Sequence, residues 1–301
     1  VISGVVQGSV LGPVLYVMLT DALLRDIKLP AMAFADDLKI VASSTSYSQQ
    51  DVQNAIDTIA TWAVDHLMPL AVDKCAVMHC GKQQTYRQYI LKGQPMAVVT
   101  SLTDLGIVRS PGFTSTEQCA AVASKAARTA YCIRRAFGFG SRKLLWPAFQ
   151  AYVLPKLMYC SSSWSPCLRR DIDVIEKVQR RYTKSICGLR DMSYDDRLRE
   201  LGALTLLNRR TYADMLLVYK CLHGMINCSP ASLGLTLAVS NTRSDGCRLI
   251  QQRVKNKRHG SAFSCRASST WNKLPSDIVC SKSLHMFKSR LHKHLLSSVS
   301  T

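Results

Sequence analysis

Residues 31–42 read AMAFADDLKIVA and set two adjacent carboxylates, Asp36 and Asp37, inside an otherwise apolar run. Burying a carboxylate is expensive unless a cation or hydrogen bonds compensate it. The apolar runs on either side, AMAFA and LKIVAS, are short and separated only by the acid pair. This pattern predicts a tight two-residue hairpin with Asp36 and Asp37 at its central positions. Both carboxylates then protrude at the tip of a rigid scaffold.

The flanking sequence places that hairpin in an α+β layer. GVVQGSVLGP (residues 4–13) is a glycine-punctuated loop, and Pro13 is well placed to open the apolar helix VLYVMLTDALL. After the hairpin, Val52, Ile56, Ile59, Trp62 and Ala63 recur at helical spacing, and Ser48 stands three residues ahead of Asp51 in a capping-box arrangement. KCAVMHC, YRQYIL and PMAVV follow as strands, with Lys92–Gln94 turning between the last two. A sheet covered by helices on one face is the expected result.

Beyond about Gly112 the pattern becomes helical. Thr116–Phe137, Lys143–Met158, Asp171–Ile186 and Asn208–Met225 show apolar recurrence every three or four residues. In Asp171–Ile186, Ile172, Ile175, Val178 and Ile186 point to a core, while Lys177, Arg180, Arg181 and Lys184 form a basic face. The last part reads as turn-rich before a basic amphipathic helix, SLHMFKSRLHKHLL.

Charge separates the parts. Residues 1–100 hold 7 basic and 8 acidic side chains, residues 101–241 hold 20 and 10, and residues 242–301 hold 12 and 2. Attraction to a polyanion is the natural reading, with nucleic acid first and an anionic membrane surface second. No run approaches a membrane span and no leader is present, so the 12 scattered cysteines are expected to be reduced intracellular thiols, with nucleus and cytoplasm both compatible. Cys75, His79 and Cys80 come nearest to a metal cluster, but on a strand Cys80 faces away from the other two, and a zinc site needs a fourth ligand.

An Asp pair alone is first of all a good turn. Its company gives it chemistry. Gln7-Gly8-Ser9-Val10-Leu11-Gly12-Pro13 followed by Phe34-Ala35-Asp36-Asp37 resembles the reverse transcriptases of non-LTR (LINE-like) retrotransposons. LAVDKCAVMHCGK is similar to the family's next palm segment, and LTDLGIVRSPGFTSTEQC to its primer-gripping segment, with the turn at Leu105-Gly106. ASSTWNKLPSDIVCSKSLHMFKSRL resembles a tail of several such elements.

The resemblance implies an RNA-directed DNA polymerase with Mg²⁺, or Mn²⁺ in its place. It implies a distal palm over residues 1–112, a helical thumb over 113–190 and a basic C-terminal region over 191–301. Template RNA, a DNA primer and dNTPs are the implied partners. Asp36 is the implied direct metal ligand and Asp37 its support. Gln7, Gly8, Phe34 and Lys74 are the implied nucleotide- and template-side residues, and Lys177, Arg180, Arg181 and Lys184 the contacts to the nucleic-acid backbone.

Two departures from the family pattern bear on this reading. Val6 stands where the family has proline, and the chain starts after the strand that bears a further catalytic Asp; Asp21 and Asp26 lie on or just past the following helix. The expectation is therefore an N-terminally truncated fragment with little activity of its own. A catalytically inactive nucleic-acid-binding remnant and a basic scaffold stand as alternatives. In the C-terminal region, Phe263, Trp271, Leu274, Phe287 and Leu291 are expected to anchor a small folded appendage. That appendage would present Arg253, Lys255, Lys257 and Arg258 to RNA, with His259, His292 and His294 as part of its basic surface.

Overall fold

The computed structural model describes residues 8–81, 86–138, 140–238, 248–254 and 256–297. Gln7 and Lys255 lie outside them. The chain divides into two compact units, Val1–Leu102 and Thr103–Thr301. Helix combined with small sheets is compatible with an α+β class.

In the first unit, helix α1 (Gly12–Asp26) starts with Pro13 in its opening turn, where a missing N–H leaves nothing unpaired, and Gly12 N–H donates to Ser9 Oγ at 3.0 Å. Strands β1 (Ala31–Phe34) and β2 (Asp37–Ile40) form an antiparallel hairpin. Helix α2 (Gln49–Asp65) begins with the expected capping box: Ser48 Oγ accepts from Asp51 N–H at 3.1 Å, and Asp51 Oδ2 accepts from Ser48 N–H at 2.8 Å. The Ser48 hydroxyl also donates to Asp51 Oδ2 at 2.8 Å, and this bond, with that from Ser48 N–H, holds the Asp51 carboxyl below its usual range.

A 3₁₀ turn (Val72–Lys74) leads into four very short strands, β3 (Ala76–Val77), β4 (Ile90–Leu91), β5 (Gln94–Pro95) and β6 (Ala97–Val98). The Lys92-Gly93 turn joins β4 to β5 with φ of 49° and 75°. The single helix-covered sheet expected from sequence is not what forms. Strands pair two by two, and β3 with β6 is parallel. One physical reason lies in α2: Gln53 donates to Ile90 O at 2.8 Å and accepts from Ile90 N–H at 3.0 Å, while Gln49 donates to Gln88 O at 2.9 Å. Glutamine amides thereby satisfy backbone groups that a neighbouring strand would otherwise take.

The second unit opens on the hairpin of β7 (Leu102–Asp104) and β8 (Ile107–Arg109), turned at Leu105-Gly106 with φ of 47° and 77°. Helix α3 (Thr116–Phe137) has the bounds read from sequence. The next helical stretch is continuous but not uniform: α4 (Arg142–Ala148), a π-helical turn (Phe149–Val153) and α5 (Leu154–Met158). After α6 (Ser161–Trp164) come α7 (Arg169–Thr183), α8 (Tyr194–Glu200) and α9 (Leu206–Leu222).

Ala123, Ala126 and Ala130 make a small-residue stripe on α3 that lets its backbone approach its neighbours closely, within a core completed by Leu145, Phe149, Val153, Leu157, Ile175 and Tyr182. Phe149 stacks on Trp146 at 5.3 Å and leans on Tyr182 at 4.8 Å.

The region expected to be turn-rich is largely helical where described, with α10 (Lys257–Ser261), α11 (Phe263–Trp271), α12 (Ser276–Val279) and α13 (Leu284–Ser297). Trp271, Phe287 and Leu291 join Met215, Val218 and Tyr219 of α9 in a second core, with Phe263 and Leu274 at its margin. Tyr219 stacks on Phe287 at 4.2 Å and donates its hydroxyl proton to Ser281 O at 2.7 Å. No described helix is long and apolar enough to cross a membrane.

Candidate catalytic hairpin and nucleic-acid interface

The acid pair sits on the hairpin one residue out of the expected register. Phe34 and Asp37 are the closing pair, so the turn residues are Ala35 and Asp36, not Asp36 and Asp37. The left-handed backbone falls on Ala35, with φ of 50°, which is uncommon for a residue other than Gly, Asn or Asp. Tyr16 of α1 donates its hydroxyl proton to Ala35 O at 3.0 Å and so pins the turn from below. Strained backbone held in place by a specific contact is a feature of functional sites.

Asp36 and Asp37 are both exposed, and among the described residues neither carboxylate has a hydrogen-bond or ion-pair partner. Leu38 and Ile40 seat β2 against the small core of Leu23, Ile27, Leu29 and Ala55. Apolar as its sequence is, β1 is largely open and Phe34 is 66% exposed. Its ring therefore stands at the surface beside the acids, available to a ligand.

Gly8 has φ of 86°, and a Cβ there would meet no atom within 4 Å. Backbone conformation, not crowding within the chain, is what asks for glycine at this position. Lys74 ends the 3₁₀ turn and is exposed; no described contact joins it to the hairpin. Its segment packs on the core of Ile56, Tyr89 and Leu91, and Val52 of α2 touches both that core and the hairpin's. Among the described residues, no three His, Cys, Asp or Glu side chains gather as a metal cluster, and His79 instead meets Arg87 O at 3.1 Å.

Two open carboxylates nonetheless suit Mg²⁺, which keeps several waters and is commonly held by one or two carboxylates together with substrate phosphates.

The basic residues of α7 fall on one side of a sharply divided helix. Lys177, Arg180, Arg181 and the C-capping Lys184 are exposed, whereas Ile175, Val178, Tyr182 and, just beyond the helix, Ile186 are buried; Ile172 is half-buried. What sequence reasoning missed is the polar layer beneath. Glu176 is buried and accepts from Leu206 N–H at the start of α9 and from the Tyr194 hydroxyl. Burial first, and Glu176 second, push the Tyr194 phenol far up.

The Tyr194 ring carries the guanidinium of Arg180 at 4.8 Å and that of Arg197 at 5.5 Å, which fixes part of the basic face in place. Arg210 is 1% exposed and its guanidinium has no hydrogen-bond partner among the described residues; burial lowers its pKa against the opposing field of Glu176. Asp214 is engaged instead by Arg266 of α11 at 2.8 Å. These charged residues look like solvated helix positions in sequence, and nothing local marks them otherwise.

Residues 1–119 match the family model described as reverse transcriptase (RNA-dependent DNA polymerase). The match takes in α1, the acid-bearing hairpin, all the short strands and the start of α3. No curated protein and no solved structure matches the chain.

Proposed function

We propose that the chain is the distal palm, thumb and basic C-terminal region of a reverse transcriptase of the non-LTR retrotransposon kind. The reaction is RNA-templated addition of a dNTP to a primer 3′-OH with release of pyrophosphate. One observation carries this reading: within a segment matched by the reverse transcriptase family, a pinned turn with left-handed Ala35 holds two solvent-exposed carboxylates that have no partner among the described residues. Asp36, in the turn, and Asp37, which closes it, would hold Mg²⁺, whose charge offsets that developing on the phosphates. Phe34 flanks the acids as a surface for the primer end, and Gly8 lies in the loop on the nucleotide side. Exposed Lys177, Arg180, Arg181 and Lys184 contact the phosphate backbone of the template–primer duplex and position it without reading sequence.

A second reading, a nucleic-acid-binding remnant without catalysis, is favoured by the lack of a third clustered carboxylate among the described residues. Primer extension on an RNA template separates the two, with the chain fused behind a polymerase segment that supplies a further aspartate. Extension that requires Mg²⁺ and falls roughly 10³-fold in a folded Asp36→Asn variant is the expected result. Wild-type rates in that variant would remove the hairpin from the site.

A further inference from the structure

The C-terminal end of α9 is closed by two turns that fold the chain back onto the helix. Its cap follows the Schellman pattern: Met225 N–H donates to Lys220 O at 2.8 Å and Gly224 N–H to Cys221 O at 3.2 Å, with Gly224 in the left-handed region at φ of 63°. The capping His223 lays its ring against buried Tyr219 at 4.1 Å, which holds the turn on the helix. A tighter turn follows, in which Cys228 N–H donates to Ile226 O at 2.8 Å.

Together the turns return Cys228 to the last turn of the helix. Cys221 donates its thiol proton to Cys228 O at 3.1 Å, and the Cys228 thiol lies within hydrogen-bonding reach of it. The segment beyond is anchored as well. Ser229 Oγ accepts from Ser232 N–H at 3.2 Å beside a 3₁₀ turn (Ala231–Leu233), and Leu235 N–H donates to Pro230 O at 2.9 Å. Leu235 is buried in the same core as Met215, Val218 and Tyr219. The two cysteines are thus held from the two sides of a short loop, one by α9 and the other by the segment that enters the core.

The two sulfurs are not equivalent. Cys221 is 4% exposed, and burial first, then the facing Cys228 thiol, push its pKa up, so it is a poor thiolate. Cys228 is half-buried and open to a small oxidant, and both are free thiols in the structure. An accessible thiol beside a shielded one is the arrangement that carries a first oxidation on to a disulfide.

We propose that Cys221 and Cys228 are a reversible redox pair, which a peroxide closes into a disulfide that clamps the end of α9 to the segment entering the C-terminal core. Cys228 attacks as its thiolate: its sulfur bonds to one peroxide oxygen, the O–O bond breaks, and the other oxygen takes up a proton and leaves as water. The Cys221 sulfur then displaces the hydroxyl of the Cys228 sulfenic acid, loses its own proton to it, and a second water departs. Two thiols and one hydrogen peroxide become one disulfide and two waters. A dithiol reductant reverses the change. The pair uses none of the residues assigned to metal or nucleic acid, so it stands or falls apart from the polymerase reading.

Thiol mapping of the full chain tests this. Trypsin releases both cysteines in one peptide, residues 221–243, which holds no other cysteine. After brief hydrogen peroxide treatment and denaturing alkylation with N-ethylmaleimide, this peptide should carry no label and be lighter by two hydrogens. Both labels should return when dithiothreitol precedes alkylation. In Cys221→Ser the reaction should stop at a Cys228 sulfenic acid, trapped by dimedone, whereas Cys228→Ser should leave Cys221 reduced. Because the fold already holds the sulfurs together, the oxidised chain should melt about 5 °C above the reduced one, a rise that Cys228→Ser should not show. Two labels retained on residues 221–243 after peroxide, or an oxidised chain that melts below the reduced one, would overturn the proposal.

Discussion

Residues 1–102 carry 7 basic and 8 acidic side chains, while residues 103–301 carry 32 and 12. The first unit has two small cores and leaves most of α1 in solvent; only Gly12 and Leu23 of that apolar helix are buried. The second has two extensive cores with fully buried aromatics and a layer of buried charge around Glu176 and Arg210. Open carboxylates and positive charge are thus distributed unequally. The acids and Phe34 lie open on a lightly supported hairpin, and the positive charge rides on a well-packed helical body.

An apolar helix with so little buried surface stabilises its unit weakly, so the acid site depends on local devices such as the Tyr16–Ala35 bond and the Ser48 capping box. The basic face, by contrast, inherits rigidity from the core beneath it.

Core truncation should expose this difference first. Phe149→Ala, in the ring stack of the second unit, should cost about 3–5 kcal/mol in denaturant unfolding; a loss below about 1 kcal/mol would mean that core is far looser than described. Phe34→Ala should change stability by less than about 0.5 kcal/mol in the same measurement, as expected for an exposed side chain. A loss as large as that of Phe149→Ala would place the Phe34 ring in a core and remove it from the site.

The smallest effect concerns pH. Burial, then Arg209, hold the His292 imidazole below its usual range, with Tyr212 edge-on at 6.2 Å. An unfolded chain therefore takes up this proton near pH 6.5, before the folded one does. Stability from this group is present above about 6.5 and is lost as pH falls through the folded value. His292→Gln should flatten that acid limb in thermal melts followed between pH 7 and 5; an unchanged limb would assign it to other groups.

Much of this contrast was legible in the sequence because local rules governed it. The α3 stripe, the Ser48–Asp51 box and the charge imbalance all depend on spacing or composition alone. The hairpin was found, but its register was missed by one residue, since Asp tolerates positive φ better than Ala and the turn formed on Ala35 regardless. The parallel β3–β6 pair had no signal, because two-residue strands carry too little pattern to specify a partner. FSCRASSTW of α11 has few strong helix formers, and its helix is stabilised by tertiary packing of Cys265, Ala267, Ser268 and Trp271. Glu176 and Arg210 gave no signal in the sequence, because burial of a charge depends on partners far away along the chain.

The proposed division between chemistry and grip is tested most directly by two readouts on the chain: Mn²⁺ binding in the presence of dATP by electron paramagnetic resonance, and RNA–DNA hybrid affinity as a function of salt. Asp36→Asn should abolish Mn²⁺ binding, read as a retained free-ion signal, and leave the salt slope intact, whereas Arg180→Gln with Arg181→Gln should lower the slope by about 2 and leave Mn²⁺ binding intact. Undiminished Mn²⁺ binding in Asp36→Asn, or an unchanged slope in the double arginine variant, would contradict the account.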